Sequence, residues 1–251
     1  MNSKIYFFKT MTVAALGFAS LTAQANGPAH WSYHGHGGPA HWAELDPAFE
    51  ACAKGVSQSP INIKKTEKVD LPPLGFAYGT VSPTLWNNGH TVQVNLPAGN
   101  SLKVGDQSYE LLQFHLHTPS EEAVGGKRAA MVAHFVHKNE EGRLGVVGVL
   151  IQPGKPNAGF DAVFAHLPRT GEKITVDDLK LDLAGLLPTE HGYYSFEGSL
   201  TTPPCSEGVS WMVLKSPVTV SSRQIKAFRK LVHDNARPLQ PLHERVVKES
   251  L

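Results

Sequence analysis

The chain has 251 residues, 41% of them hydrophobic and 18% charged, with a formal net charge of +1. That is enough apolar material for one large core, and a balanced charge without a basic run gives no footing to a nucleic-acid partner. The 23 glycines and 18 prolines favour many short strands and turns over long helices.

Residues 1–25 read as a cleaved signal peptide. Lys4 and Lys9 make a basic start, residues 11–23 form an apolar run of small residues, and Ala23-Gln24-Ala25 supplies the cleavage site. The run is too short to span a bilayer as a stable helix. The mature chain, residues 26–251, is therefore expected to be periplasmic or secreted, with no membrane span. Cleavage removes two lysines and no acidic residue, which takes the net charge from +1 to −1. Residues 26–50 carry His30, Trp31, Tyr33, His34, His36, His41 and Trp42, and read as an irregular arm whose aromatics pack on the main body. No regular element fixes those histidines as ligands. Cys52 and Cys205 are the two cysteines of the chain. In an oxidising compartment such a pair reads as one disulfide; without a Cys-x-x-Cys spacing it makes a poor metal site.

Further along, residues 58–63 turn into a short apolar strand. Residues 86–96 form a turn that feeds an alternating strand, with His90 at the strand's start and a candidate for a pocket rim. Residues 108–113 alternate as a strand and run on into Gln113-Phe114-His115-Leu116-His117. Side chains change face at each residue of a strand, so His115 and His117 point the same way. His134 lies in the next apolar run, beyond the glycine-rich residues 124–127. Three neutral imidazoles with a free fourth position describe a catalytic zinc site, not a closed structural one. Residues 145–151 are continuously apolar, as in a central strand buried on both faces. Residues 160–167 suggest a short amphipathic helix. A better one spans 222–232, capped by Ser221 or Ser222, with Ile225, Phe228 and Val232 at helical spacing. There is no internal repeat. The expectation is one mainly β (α+β) domain around a single large sheet.

Four motifs then converge: Gln58-Ser59-Pro60-Ile61-Asn62-Ile63, Gln113 through Thr118-Pro119-Ser120-Glu121, His134-Phe135-Val136-His137, and Gly198-Ser199-Leu200-Thr201-Thr202-Pro203-Pro204-Cys205-Ser206-Glu207. In this order they resemble the alpha-class carbonic anhydrases of the secreted bacterial type, over most of residues 31–245. The resemblance implies a twisted, mostly antiparallel sheet of about ten strands with short peripheral helices, and one zinc at the base of a conical cavity. It implies His115, His117 and His134 as zinc ligands, Thr201 and Glu121 as the pair that orients zinc-bound hydroxide, and His90 as the proton shuttle. Val136, Val146, Leu200 and Trp211 match the apolar wall that holds CO2. Asn88, Gln93, Gln113 and Thr202 match the polar side, and Tyr33 the solvent network. Cys52 and Cys205 match the bacterial disulfide, and His137 a structural histidine. The implied reaction is reversible hydration of CO2 to bicarbonate and a proton, with weak esterase activity on the side. Sulfonamides and anions are the inhibitors to expect, and the chain could be a monomer or a homodimer.

Three positions depart from that pattern. Val132 stands where a glutamate usually precedes the third ligand, Glu122 stands where a histidine is usual, and Phe196 replaces a tyrosine near the gate. A compensating exchange, with Glu122 reaching His134, is the expectation for the first two. Other readings remain. His115-x-His117-x-x-x-Glu121 also mimics a cupin motif, but leaves residues 200–204 unexplained. A non-catalytic binding relative would usually have lost a ligand histidine. A metal-buffering protein would hold several weak ions, not one tight one.

Overall fold

The computed structural model describes Met1, residues 30–176 and residues 178–251. The expected signal segment lies outside these residues apart from Met1, as do residues 26–29 of the expected domain.

Ten strands make a continuous path. They are β1 (Glu67–Val69), β2 (Thr84–Asn87), β3 (Val92–Asn95), β4 (Gln107–His117), β5 (Met131–Lys138), β6 (Leu144–Pro153), β7 (Lys173–Thr175), β8 (Tyr193–Ser199), β9 (Glu207–Leu214) and β10 (Lys248–Ser250). Their spatial order is β7-β2-β3-β4-β5-β6-β9-β8-β10-β1, and three side strands bring the sheet to 13. The sheet is mixed. Antiparallel pairings dominate, as the resemblance implied, while β6 runs parallel to β9 and β10 parallel to β1.

The sheet separates two apolar clusters. From β6, Val147, Val149 and Ile151 enter the larger cluster, and Val146 and Leu150 the smaller one. Every residue from Gly145 to Ile151 is buried, which explains its unbroken apolar run. Helix α1 (Ala158–Phe164) is capped by Asn157, whose Oδ1 accepts the amides of Gly159 and Phe160 at 2.9 and 3.2 Å. It stops short of the expected Leu167, which precedes Pro168 and is steered away from helical geometry. Helix α2 (Ser222–Val232) keeps the expected bounds. Ser221 is its cap: its Oγ accepts the Gln224 amide, and Gln224 Oε1 accepts the Ser221 amide at 2.8 Å. Phe228 and its neighbours Ile225 and Val232 lie on the larger cluster.

One irregularity decides where the histidines point. Along β4, Tyr109 and Leu111 enter the larger cluster, and so do Phe114 and Leu116. The parity changes between them because His137 pairs with Leu111 while Val136 pairs with Gln113. Leu112 is thus the extra residue of a β-bulge. Without it, His115 and His117 would face the same side as Tyr109 and Leu111. With it, Gln113, His115 and His117 turn to the opposite face, and Phe114 and Leu116 fill the core behind them.

Candidate active site

β5 runs antiparallel to β4 with His134 directly opposite His115 and Val132 opposite His117. Directly opposed residues share a face, so all three imidazoles stand on one side of the sheet. Their ring centroids are 4.8–5.5 Å apart. One nitrogen from each ring lies within 4.8 Å of the others.

The second nitrogen of each ring is already engaged. His115 Nδ1–H donates to Gln113 Oε1 at 2.9 Å, His117 Nδ1–H to the Asn235 carbonyl at 2.7 Å, and His134 Nε2–H to Glu122 Oε2 at 3.2 Å. These bonds fix the tautomers and leave His115 Nε2, His117 Nε2 and His134 Nδ1 for a common point. His117 Nε2 is buried and has no hydrogen-bond partner, which is unfavourable unless another group uses its lone pair. Three imidazole nitrogens suit zinc, so the residues fit that ion. Burial, with His134 nearby, pushes His115 down to about 3. Burial, with both neighbouring rings, holds His117 well below the usual histidine range. Both are therefore deprotonated at neutral pH, as metal ligation requires. His134 goes the other way: burial lowers it, but Glu122 and Glu121 outweigh that and raise it.

Glu121 is fully buried beside the rings, with Oε2 at 3.4 Å from His117 Nε2 and 3.8 Å from His134 Nδ1. Its Oε1 accepts the Arg237 amide at 2.8 Å. Burial pushes its carboxyl up to about 7, against the opposing pull of His134 and the Thr201 hydroxyl. Thr201 is thus close enough to favour the ionised form, although Glu121 Oε2 has no hydrogen bond of normal geometry. A dication among the rings would further favour the carboxylate.

Val136, Val146, Leu200 and Trp211 all belong to the smaller cluster on the histidine face, and Trp211 meets His134 edge to face at 4.9 Å. Its Nε1–H donates to the Ser199 carbonyl at 3.1 Å, and Phe196 stacks on its other side. The polar candidates are partly exposed, and their contacts are local. Gln93 Nε2 donates to Asn95 Oδ1 at 2.7 Å; Asn88 Oδ1 accepts the His90 and Thr91 amides at 2.9 Å; the Thr202 carbonyl accepts the Cys205 amide at 2.8 Å. His90 therefore sits in a turn held by Asn88, two residues ahead of β3, and not at the strand's start. Its ring stacks on Trp31 at 3.7 Å, and partial burial with His30 nearby lowers its pKa. Tyr33 packs on Trp31 and Trp42, and the arm's aromatics lie on the body, Trp31 against His90 and Trp42 beneath the Arg237 guanidinium; of the three, Trp42 alone lies in a short helix, Trp42–Leu45. His137 points away from the site, bonded to Tyr78 and the Gly145 carbonyl. Cys52 and Cys205 form a disulfide.

Two residues escaped the sequence reading. Asn235 holds His117 through its carbonyl, accepts the Thr118 amide at 2.8 Å, and donates to the His90 and Leu116 carbonyls at 3.0 Å. Arg237 is buried; its guanidinium binds Gln58, Ser59 and Cys52, while its amide fixes Glu121. Both lie in an irregular segment after α2, where no periodicity marks a buried polar residue.

Three imidazoles aimed at one point, beside a buried carboxyl and an apolar wall, make a sheet-borne, three-histidine site that fits a metal ion. Comparison narrows this further. The description "Eukaryotic-type carbonic anhydrase" matches residues 37–251. A Klebsiella pneumoniae carbonic anhydrase is 44% identical over 243 residues, covering 94% of this chain and 99% of the relative. One from Pectobacterium atrosepticum is 41% identical over 239 residues, covering 94% and 97%. The Thermovibrio ammonificans alpha-carbonic anhydrase, solved with the inhibitor sulfanilamide, superposes with a TM-score of 0.86 at 42% identity, covering 88% of this chain and all of that one. The chain belongs to the alpha carbonic anhydrase family of enzymes.

Proposed function

We propose that the protein is an exported, zinc-dependent enzyme that interconverts CO2 and bicarbonate. The observation that carries this reading is the convergence of His115, His117 and His134, each with its outer nitrogen tied, beside Glu121 and Thr201. Zinc held by His115 Nε2, His117 Nε2 and His134 Nδ1 would supply a Lewis acid, which in this enzyme class lowers the pKa of a water molecule it binds to about 7.

The chain's own residues do the rest. Arg237 fixes Glu121 Oε1, which leaves Oε2 to accept the Thr201 proton. A carboxylate only accepts, so the Thr201 oxygen must in turn present its lone pairs to the reacting centre. Val136, Val146, Leu200 and Trp211 give CO2 an apolar bed from which water is excluded. Asn88, Gln93, Gln113, Thr202 and Tyr33 line the wetter side, and His90 accepts the released proton and passes it to buffer. The Thr201 amide beside the reacting centre also suits weak hydrolysis of activated esters.

Stopped-flow CO2 hydration on the zinc-loaded protein tests this, with a sulfonamide control and a His115→Ala variant. Turnover that is blocked by the sulfonamide and lost in the variant is the expected result. No hydration with one zinc bound would reject the enzymatic reading in favour of a binding relative. Export predicts that protein recovered from the periplasm begins near residue 26 by mass; an intact Met1 there would refute it.

A further inference from the structure

We propose that Glu122 is the positioning residue for His134, and that this chain delivers that support from a loop because its ligand strand has none to offer. This rests on the zinc reading above. The strand side comes first. Val132 lies two residues before His134, on the same face of β5, and is fully buried in an apolar cluster with Ile61, Ile63 and Ala129. It can accept no proton. The acceptor for His134 Nε2–H is instead Glu122 Oε2 at 3.2 Å, across from the strand.

Glu122 has no other evident reason to be where it is. Its side chain is entirely buried, and its Oε1 has no hydrogen-bond partner among the described residues. A carboxyl is costly to bury unless partnered, and His134 is its one side-chain hydrogen-bond partner among the described residues. Its backbone, by contrast, is tightly held. The Glu122 carbonyl accepts the Ser120 hydroxyl at 2.7 Å, Ser120 Oγ accepts the Ala129 amide at 2.8 Å, and the Ala123 amide donates to the Ile61 carbonyl at 3.2 Å. The loop is therefore a rigid bracket that aims one carboxyl at one imidazole. A carboxyl on the outer nitrogen fixes ring orientation and keeps the inner nitrogen free for the metal. Because the same loop carries Glu121, it places two neighbouring carboxyls: Glu121 beside the rings on the metal side, Glu122 on the outer nitrogen of His134.

The test is zinc retention, measured by competition with a chromophoric chelator, on the parent, Glu122→Gln, Glu122→Ala, and the Glu122→Ala/Val132→Glu pair. Loss of such an outer partner typically costs about 10–100-fold in metal affinity. Glu122→Ala should lose that much, Glu122→Gln less because its amide oxygen still accepts, and the double variant should recover most of the loss by moving the carboxyl onto the strand. The visible spectrum of the cobalt(II)-loaded proteins gives a second readout, perturbed in Glu122→Ala and restored in the pair. Metal-free unfolding midpoints identify any variant that has simply lost its fold. If Glu122→Ala holds zinc as tightly as the parent, or the Gln and Ala variants are equally impaired, the proposal falls. If the parent itself binds no zinc, the functional reading falls with it.

Discussion

The Cys52–Cys205 bridge offers a quantitative check on how the chain is tied together. It joins residues 153 positions apart. Constraining a loop of that size in the unfolded chain is worth about 5 kcal/mol in the entropic model, and real bridges typically deliver about 2–4. The lower range is expected here, because residual structure in the unfolded chain reduces the ideal figure. Native contacts that also join the two ends should let the chain fold without the bridge. Gln58 Nε2 donates to the Cys205 carbonyl at 3.0 Å, and its Oε1 accepts from Arg237 at 2.8 Å. Arg237 also donates to the Cys52 carbonyl at 2.9 Å. A Cys52→Ala/Cys205→Ala protein should fold, with unfolding in urea showing a loss of about 2–4 kcal/mol. For a domain of this size that lowers Tm by about 4–16 °C. Reductant should reproduce the loss in the parent and leave the variant unchanged. A loss below about 0.5 kcal/mol would refute the argument from loop entropy.

Two further predictions concern protons. His90→Ala should lower buffer-limited turnover by roughly 100-fold, leave kcat/KM for CO2 nearly unchanged, and be rescued by added imidazole. In the parent, that turnover should titrate below 6.5, because burial and His30 lower the His90 pKa from that value. Loss of kcat/KM instead would place His90 in CO2 binding and not in proton export. The metal-free protein should also be acid-sensitive. His115 and His117 are depressed by burial, His115 to about 3, so below about 6.5 the unfolded chain takes up protons that the folded one refuses. Their contribution to stability is present above pH 6.5 and is lost as pH falls toward 3, with zinc-loaded protein shifted to lower pH. Glu121, raised to about 7, opposes it by holding a proton in the folded state over the same window, and His134, also raised, does so at the window's upper edge. Glu121→Gln should therefore make the metal-free protein more acid-sensitive than the parent. A flat unfolding midpoint from pH 7 to 4 in the metal-free Glu121→Gln protein would contradict this.

Much of the site was legible from residue identity and spacing. The alternation around Phe114 and Leu116 put His115 and His117 on one face, and the apolar run after residues 124–127 supplied His134. Glu122, Val132 and Phe196 stood out only against a family pattern. Residues 125 and 126 form the two-residue turn of a hairpin, with positive φ at both, which a Gly-Gly pair announces. Helix α2 was equally plain, because a Ser cap and apolar residues at helical spacing are local signals.

What the sequence by itself determined, then, were the properties carried within a few residues: strand faces, caps, turns, and the kinds of side chain available to hold a metal. Tertiary structure decided the rest. The bulge at Leu112 chose which face the histidines took, the β4–β5 register set His134 opposite His115, and Asn235, Arg237 and Glu122 arrived from distant segments to fix the rings and Glu121. The physical reason is that a buried polar group is stable only once every partner is in place, and those partners lie up to 185 residues away, as for Arg237 and Cys52. No local pattern can record such an arrangement, because it exists only after the sheet has closed around it.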